Sequence, residues 1–347
     1  MKYLFHISSL YGGGAERVMS NLINYFSELN NEVIVVVCYE HDNEYEINNS
    51  VKKIVIGESN ILKQSKKLRT IIKRENPDLC ISFMQGGNFR MVLANLFTNK
   101  KYILSVRNDP KNEYPNRLLR LLAKKMFNKA SGIVFQTPDA MKYFSKKIQK
   151  KSTIIFNPVS EEFFAEERKN DVSGIVSLGR LTKQKNFELL IDSYNSVKDK
   201  IDDKLFIYGD GELKEQLQDR INNYQLNDRV FLMGRSNNSK EIYSNAKCFV
   251  MSSDFEGMPN ALLEAVCMLV PSISTDCPCG GARIILEGNG LLVPTNNIEA
   301  LGNALVKLTK DNILMNDLSK KCFDKRDAFK TDVILNKWKV YFDDLIS

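Results

Sequence analysis

Two carboxylates, Glu256 and Glu264, stand eight positions apart in Asp254-Phe255-Glu256-Gly257-Met258-Pro259-Asn260-Ala261-Leu262-Leu263-Glu264. Pro259 suits a first helical turn, where its missing N–H has no intrahelical partner to lose. Residues 259–268 therefore read as a helix that begins just after Glu256. The unpaired N–H groups at such a start, with the positive end of the helix dipole, seat an anionic or hydroxyl-rich ligand. Eight residues of helix rise only ~12 Å. The two carboxylates can thus reach separate parts of one elongated ligand, of the length of a sugar nucleotide.

A second constellation is cationic. In Ser177-Leu178-Gly179-Arg180-Leu181-Thr182-Lys183-Gln184-Lys185-Asn186, Arg180 and Lys185 lie between a strand-like and a helix-like run. Fixed cations there would stabilise the charge developing on a departing pyrophosphate more than the ground state. Arg grips phosphate oxygens in a fork and Lys acts as a point charge. A third constellation is Tyr11-Gly12-Gly13-Gly14-Ala15-Glu16-Arg17, whose glycines let the backbone pass close to a ligand. Arg17 sits where a dinucleotide fingerprint wants a third glycine, so only Glu40 keeps an NAD reading open. Taken singly, these stretches are also consistent with surface carboxylates, a solvated basic loop and a tight turn.

The elements that must position these residues come in two alternating series. Strand-like runs fall at 3–8, 32–39, 52–57, 79–84, 102–106, 131–136 and 153–156, with helical stretches near 15–29, 61–75, 88–98, 115–129 and 138–148. A polar stretch, Glu161 to Asp171, reads as an interdomain linker. Strands are then predicted at 174–178, 204–208, 229–233, 247–251, 271–274 and 290–293, and helices near 186–198, 211–223, 239–245, 259–268 and 297–309. Short β-branched runs alternating with amphipathic segments imply parallel sheets covered by helices. The predicted class is α/β: a Rossmann-like domain over 1–160, a second over 161–330, and a helical segment 331–347 returning to the first.

The spacing Glu, seven residues, Glu, with Gly-Met-Pro-Asn between, resembles the signature of retaining glycosyltransferases of family 4, which have the GT-B fold of two Rossmann-like sheets facing across a cleft. Gly179-Arg180-Leu181 followed by Lys185-Asn186 resembles that family's diphosphate-binding pair. The Gly13-Gly14 turn resembles its acceptor-domain loop near the donor diphosphate. The resemblance implies that Glu256 meets the sugar ring and that Gly257, Met258, Pro259 and Asn260 offer backbone groups to its hydroxyls. Leu262 and Glu264 follow in the same helix, Glu264 on the ribose. Gly209 would lie near the nucleoside, and Gly234 with Arg235 near the base. On the acceptor side it points to Arg107, Asn108 or Asp109, where many relatives carry a His or an acidic residue, and to Gln85 in the polar loop Gln85-Gly86-Gly87-Asn88. Asp276-Cys277-Pro278 followed by Gly290-Leu291-Leu292-Val293-Pro294 is similar to bacterial enzymes of O-antigen, capsule or lipid-linked glycan synthesis.

The resemblance therefore implies transfer of a hexose or N-acetylhexosamine, with retention, from a nucleotide sugar to a glycan acceptor. A UDP-sugar is the expected donor and a polyprenyl-diphosphate-linked oligosaccharide the expected acceptor. A sugar-nucleotide epimerase of the same plan and a non-catalytic sugar-nucleotide-binding partner are the alternatives. No metal or other cofactor is expected: His6 and His41 are the only histidines and Cys277-Pro278-Cys279 is the only close cysteine pair. The 347 residues carry a net charge of +7, but residues 1–160 hold 25 Lys and Arg against 13 Asp and Glu, a local +12. Arg117-Leu118-Leu119-Arg120-Leu121-Leu122-Ala123-Lys124-Lys125 is amphipathic and cationic. It fits either an ordinary core-facing stripe or a patch for anionic lipid. The charge excess favours peripheral membrane contact, and nucleic acid is not expected because no recognition motif accompanies the charge. With no apolar run long enough to span a bilayer and no leader-like start, a cytoplasmic location at the inner face of the plasma membrane is expected.

Overall fold

The computed structural model describes residues 1–168, 172–236 and 238–347. The chain divides into two compact units, Met1–Pro158 with Asp332–Ser347, and Val159–Thr331. In the first unit the order is β1 (Lys2–Ile7), α1 (Gly14–Glu28), β2 (Glu32–Val37), β3 (Lys52–Val55), α2 (Ile61–Glu75), β4 (Leu79–Phe83), α3 (Met84–Asn95), β5 (Lys101–Val106), α4 (Pro110–Glu113), α5 (Arg117–Phe127), β6 (Gly132–Phe135), α6 (Pro138–Lys142), α7 (Lys146–Gln149) and β7 (Ser152–Ile154). All neighbours pair in parallel, in the order β3-β2-β1-β4-β5-β6-β7. Val33 to Val37 is an unbroken apolar run because a parallel strand is covered on both faces.

The second unit holds β8 (Ile175–Leu178), α8 (Phe187–Val197), β9 (Leu205–Tyr208), α9 (Lys214–Asn223), β10 (Val230–Gly234), α10 (Ser239–Asn245), β11 (Cys248–Met251), α11 (Asn260–Cys267), β12 (Ser272–Thr275), α12 (Gly281–Leu286), β13 (Gly290–Val293), α13 (Ile298–Lys310) and α14 (Asn312–Lys325). Its sheet order is β10-β9-β8-β11-β12-β13. Leu190, Ile191 and Tyr194 of α8 and Leu301, Leu305 and Leu308 of α13 pack onto it. The last helix, α15 (Thr331–Ile346), brings Ile334, Leu335, Trp338 and Phe342 into the core of the first unit. Phe342 stacks on Phe26 at 4.8 Å, and Trp338 stacks on Phe83 at 5.7 Å.

The structure revises four local expectations. Gln85 to Asn88 is the opening of α3 rather than a polar loop, and Asn88 is buried, accepting from Ser82 Oγ and donating to Ser105 O. Pro259 precedes α11 instead of lying in its first turn: its ψ of 115° is extended, while its carbonyl already accepts from Leu263 N at 3.1 Å. The 138–148 stretch is split into α6 and α7. The linker is less polar than its composition, for Phe163 is buried against Tyr243; residues 169–171 lie outside the described residues.

Candidate functional site

The strand order of the second unit reverses between β8 and β11, which pair through Ile175 with Cys248 and Val176 with Phe249. In open α/β sheets, ligands bind outside the carboxyl ends of the strands at such a switch point. The two loops that leave those ends are the ones whose chemistry was singled out: 179–186 after β8 and 252–259 after β11. A separate cavity of about 590 Å³ lies beside Lys247 and Leu269, at the amino ends of β11 and β12.

Lys185 Nζ donates to Glu256 Oε1 at 2.6 Å, and the same oxygen accepts from Ser253 Oγ at 3.0 Å. Both side chains are largely shielded, Lys185 at 22% and Glu256 at 10% of full exposure. The lysine stem crosses Gly179, where a Cβ would stand 3.2 Å from Lys185 Cδ. Gly209, at the end of β9, approaches closer still: a Cβ there would fall 1.9 Å from Gly179 O, and its φ of +146° is one that side chains rarely adopt. Its N–H donates to Gly234 O at 2.8 Å, joining the β9 and β10 turns to the β8 loop. Arg180 is exposed on that loop, and Arg235 is exposed after β10.

Gly257, Met258 and Pro259 are buried, and Gly257 O lies where a Cβ on Gly281 would fall. Asn260, half-buried, opens α11, and the N–H groups of its first turn have no intrahelical acceptor. Glu264, one helix length on, is 5% exposed, with Tyr243 OH 3.0 Å from its Oε2. Leu262 is completely buried, a packing position of α11, so its side chain does not face a ligand. Spacing did not single out Ser253, Tyr243 or Asp254. Asp254 stood within the quoted motif and Ser253 just before it, but only the fold shows what they hold.

The candidates of the first unit are placed differently. Gly13 caps the start of α1 and Gly14 opens it, with the Glu16 carboxylate folded back onto Gly13. Asp109 is the cap of α4, accepting from Lys111 N at 3.1 Å and Asn112 Nδ2 at 2.7 Å. Asn108 Oδ1 accepts from Asp109 N, and Gln85 Nε2 donates to Glu113 O. Arg107 is buried over the Phe83 ring and donates to Asn157 Oδ1; burial pulls its pKa down to about 9, with Glu16 opposing the shift. Beside Asp109, burial raises the Glu113 carboxyl to about 8, with the Asp109 charge adding to it. Among the described residues no group of three or more His, Cys, Asp or Glu could hold a metal ion.

Residues 12–163 match the family model described as Glycosyltransferase Family 4, and residues 159–324 match Glycosyl transferases group 1. An uncharacterized glycosyltransferase of Methanocaldococcus jannaschii is 34% identical over 264 residues, covering 69% of this chain and 65% of that protein. The N-acetylgalactosamine-N,N'-diacetylbacillosaminyl-diphospho-undecaprenol 4-alpha-N-acetylgalactosaminyltransferase of Campylobacter jejuni is 28% identical, covering 93% of this chain and 94% of its own. The crystal structure of Anabaena HepE in complex with UDP and glucose superposes with a TM-score of 0.83 over 99% of this chain and 100% of that one, at 16% identity, a likeness of fold. With its two parallel Rossmann-like sheets and matches that together run from residue 12 to residue 324, the chain belongs to glycosyltransferase family 4 and has the GT-B fold.

Proposed function

We propose that this protein is a retaining glycosyltransferase that moves a hexose or N-acetylhexosamine from a UDP-sugar to a polyprenyl-diphosphate-linked glycan in cell-surface polysaccharide synthesis. The observation that carries the reading is the Lys185–Glu256 contact at the switch point, beside the start of α11. A shielded ammonium held by a carboxylate is ready to exchange that partner for a phosphate, a second oxygen anion of similar reach. The donor diphosphate would take Lys185 and Arg180, leaving Glu256 to the sugar, the α11 amides to its hydroxyls and Glu264 to the ribose. The bond from the anomeric carbon to the phosphate oxygen breaks as that from the same face to the acceptor oxygen forms. The acceptor proton passes to the departing phosphate. Arg180 and Lys185 stabilise the charge that appears there, so turnover is expected to persist without added divalent metal. The lipid-linked acceptor is supported by the name of the Campylobacter relative, and UDP by the ligand of HepE.

The assay is a panel of UDP- and GDP-sugars with an undecaprenyl-diphosphate-linked glycan, reading released nucleoside diphosphate, with NMR of the product for anomeric configuration. Lys185→Ala and Glu256→Ala should each lower kcat by about 10²–10³-fold while the melting temperature holds. A folded protein that binds no member of the panel, or variants that keep wild-type turnover, would sink the reading.

A further inference from the structure

Behind the Lys185–Glu256 contact runs a set of hydrogen bonds between the chain segments that flank it. Asn186 adopts the left-handed conformation, φ 45° and ψ 51°, and its Oδ1 caps α8 by accepting from Leu189 N at 3.1 Å. Its Nδ2 donates to Asp254 Oδ1 at 2.7 Å and to Asn296 Oδ1 at 3.0 Å. On the other side of Lys185, Gln184 O accepts from Asp254 N at 2.9 Å, and Gln184 Nε2 donates to Phe255 O at 2.9 Å. Ser252 Oγ donates to Lys185 O at 3.0 Å. Residues 184–186 are thereby laced to 252–255, one residue short of Glu256.

The composition of this lacing is informative. A glycine at 186 would satisfy the left-handed backbone but would neither cap α8 nor reach Asp254. Asparagine does all three, and the amide that faces Asp254 serves neither the helix nor the turn. We infer that Asn186 and Asp254 are positioning residues: the hydrogen bond between them fixes the β8 loop against the β11 loop, and so sets where the Lys185 ammonium stands relative to Glu256. The inference rests on the proposed function, in which that ammonium meets the leaving diphosphate. A lysine stem is flexible and binds as a point charge, so the backbone at its root must be held. A displacement of about 1 Å at such a group can cost roughly 100-fold in rate. The effect belongs mainly in kcat, since the charge that Lys185 stabilises grows as the bond breaks.

Exchanging donor and acceptor tests the tie. Asn186→Asp keeps the oxygen that caps α8 but loses the amide, setting two carboxylates together. In the double variant Asn186→Asp/Asp254→Asn the bond can re-form in the opposite sense, with the Asn296 amide turning to donate. Asn186→Asp is expected to lower kcat about tenfold with donor KM within about threefold, and the double variant to return to within about threefold of wild type. A double variant as slow as Asn186→Asp, or an Asn186→Asp enzyme with wild-type kcat, overturns the inference. A readout without substrate separates it from the functional reading: hydrogen exchange at the Asp254 amide should quicken at least tenfold in Asn186→Asp and slow again in the double variant. Unaltered exchange overturns the tie whether or not any nucleotide sugar is turned over, whereas a wild-type protein that turns over none overturns only the proposed function.

Discussion

His6 has no exposure to solvent, and both of its ring nitrogens are occupied: Nδ1 lies 2.8 Å from Val36 O, and Arg90 Nε donates to Nε2 at 2.9 Å. Nε2 must therefore accept and Nδ1 carry the proton, which makes the ring neutral. Burial first, and the Arg90 charge second, pull its pKa down to about 3. The unfolded chain takes up that proton near pH 6.5, so the contribution to stability is complete above about 6.5 and is lost as pH falls from there towards 3. Between pH 7 and pH 5 it amounts to about 2 kcal/mol. Urea unfolding at the two pH values should show His6→Gln losing less stability than wild type by that amount; equal losses would refute the assignment. Arg90 also donates to Ser8 Oγ, so this network supports the turn that leads to Gly13. At this scale, Glu256 and Glu264 stood out by their spacing within one segment and Lys185 by its spacing from Arg180 in another, because each spacing is a chemical pattern. Their supports were not: Ser253 lies beside Glu256 in sequence, but Tyr243 reaches Glu264 from 21 residues away and Asn186 reaches Asp254 from 68. The Tyr243–Glu264 pair forms only once α10 and α11, on either side of β11 in the chain, pack together, and the Asn186–Asp254 pair only once β8 and β11 lie side by side.

Among the elements, the strands were the more legible, since a buried parallel strand is an apolar run with little else in it. Helix starts were harder. Gln85-Gly86-Gly87-Asn88 has the composition of a loop, yet α3 absorbs it because Asn88 exchanges hydrogen bonds with Ser82 and Ser105 in the sheet below. The helix at 138–148 divides into α6 and α7 at Ser145, which precedes the second as its cap residue. Helix α15 shows how an element at the far end of the chain completes a core begun at residue 2. Gly132 leaves room for Tyr341, whose hydroxyl accepts from Ile133 N at 3.0 Å and donates to Lys151 O at 2.8 Å, bridging β6 and β7. Trp338 is fully buried between Phe83 and Phe342. Trp338→Ala should cost about 3–5 kcal/mol, measured by chemical denaturation. A loss under about 1 kcal/mol would mean that α15 docks without contributing to the first unit's core.

Over the whole molecule, the charge is divided between the two halves of the chain, and the exposure of the basic segment bears on one of the two readings left open for it. Helix α5 buries Ala123 and Phe127 but turns Leu118, Leu121 and Leu122 outward, at 69%, 58% and 44% exposure. The leucines are therefore not a core-facing stripe. Arg117 and Lys125 are exposed among them, with Arg120 and Lys124 half-buried beside the Tyr143 ring. Cations and apolar side chains on one exposed surface match the interface of an anionic bilayer, where each cation contributes about 1 kcal/mol and apolar side chains enter the headgroup boundary. No helix among the described residues is long and apolar enough to cross a membrane, and the proposed transfer to a polyprenyl-linked acceptor motivates a direct test of this surface. Sedimentation with vesicles containing phosphatidylglycerol should show binding that weakens as salt rises, because the charge component is screened. Leu118→Ser/Leu121→Ser/Leu122→Ser should bind at least tenfold more weakly, about 1.4 kcal/mol or more, with folding unimpaired. Equal binding to neutral vesicles, or a triple variant that binds as well as wild type, would show that α5 is not the docking surface.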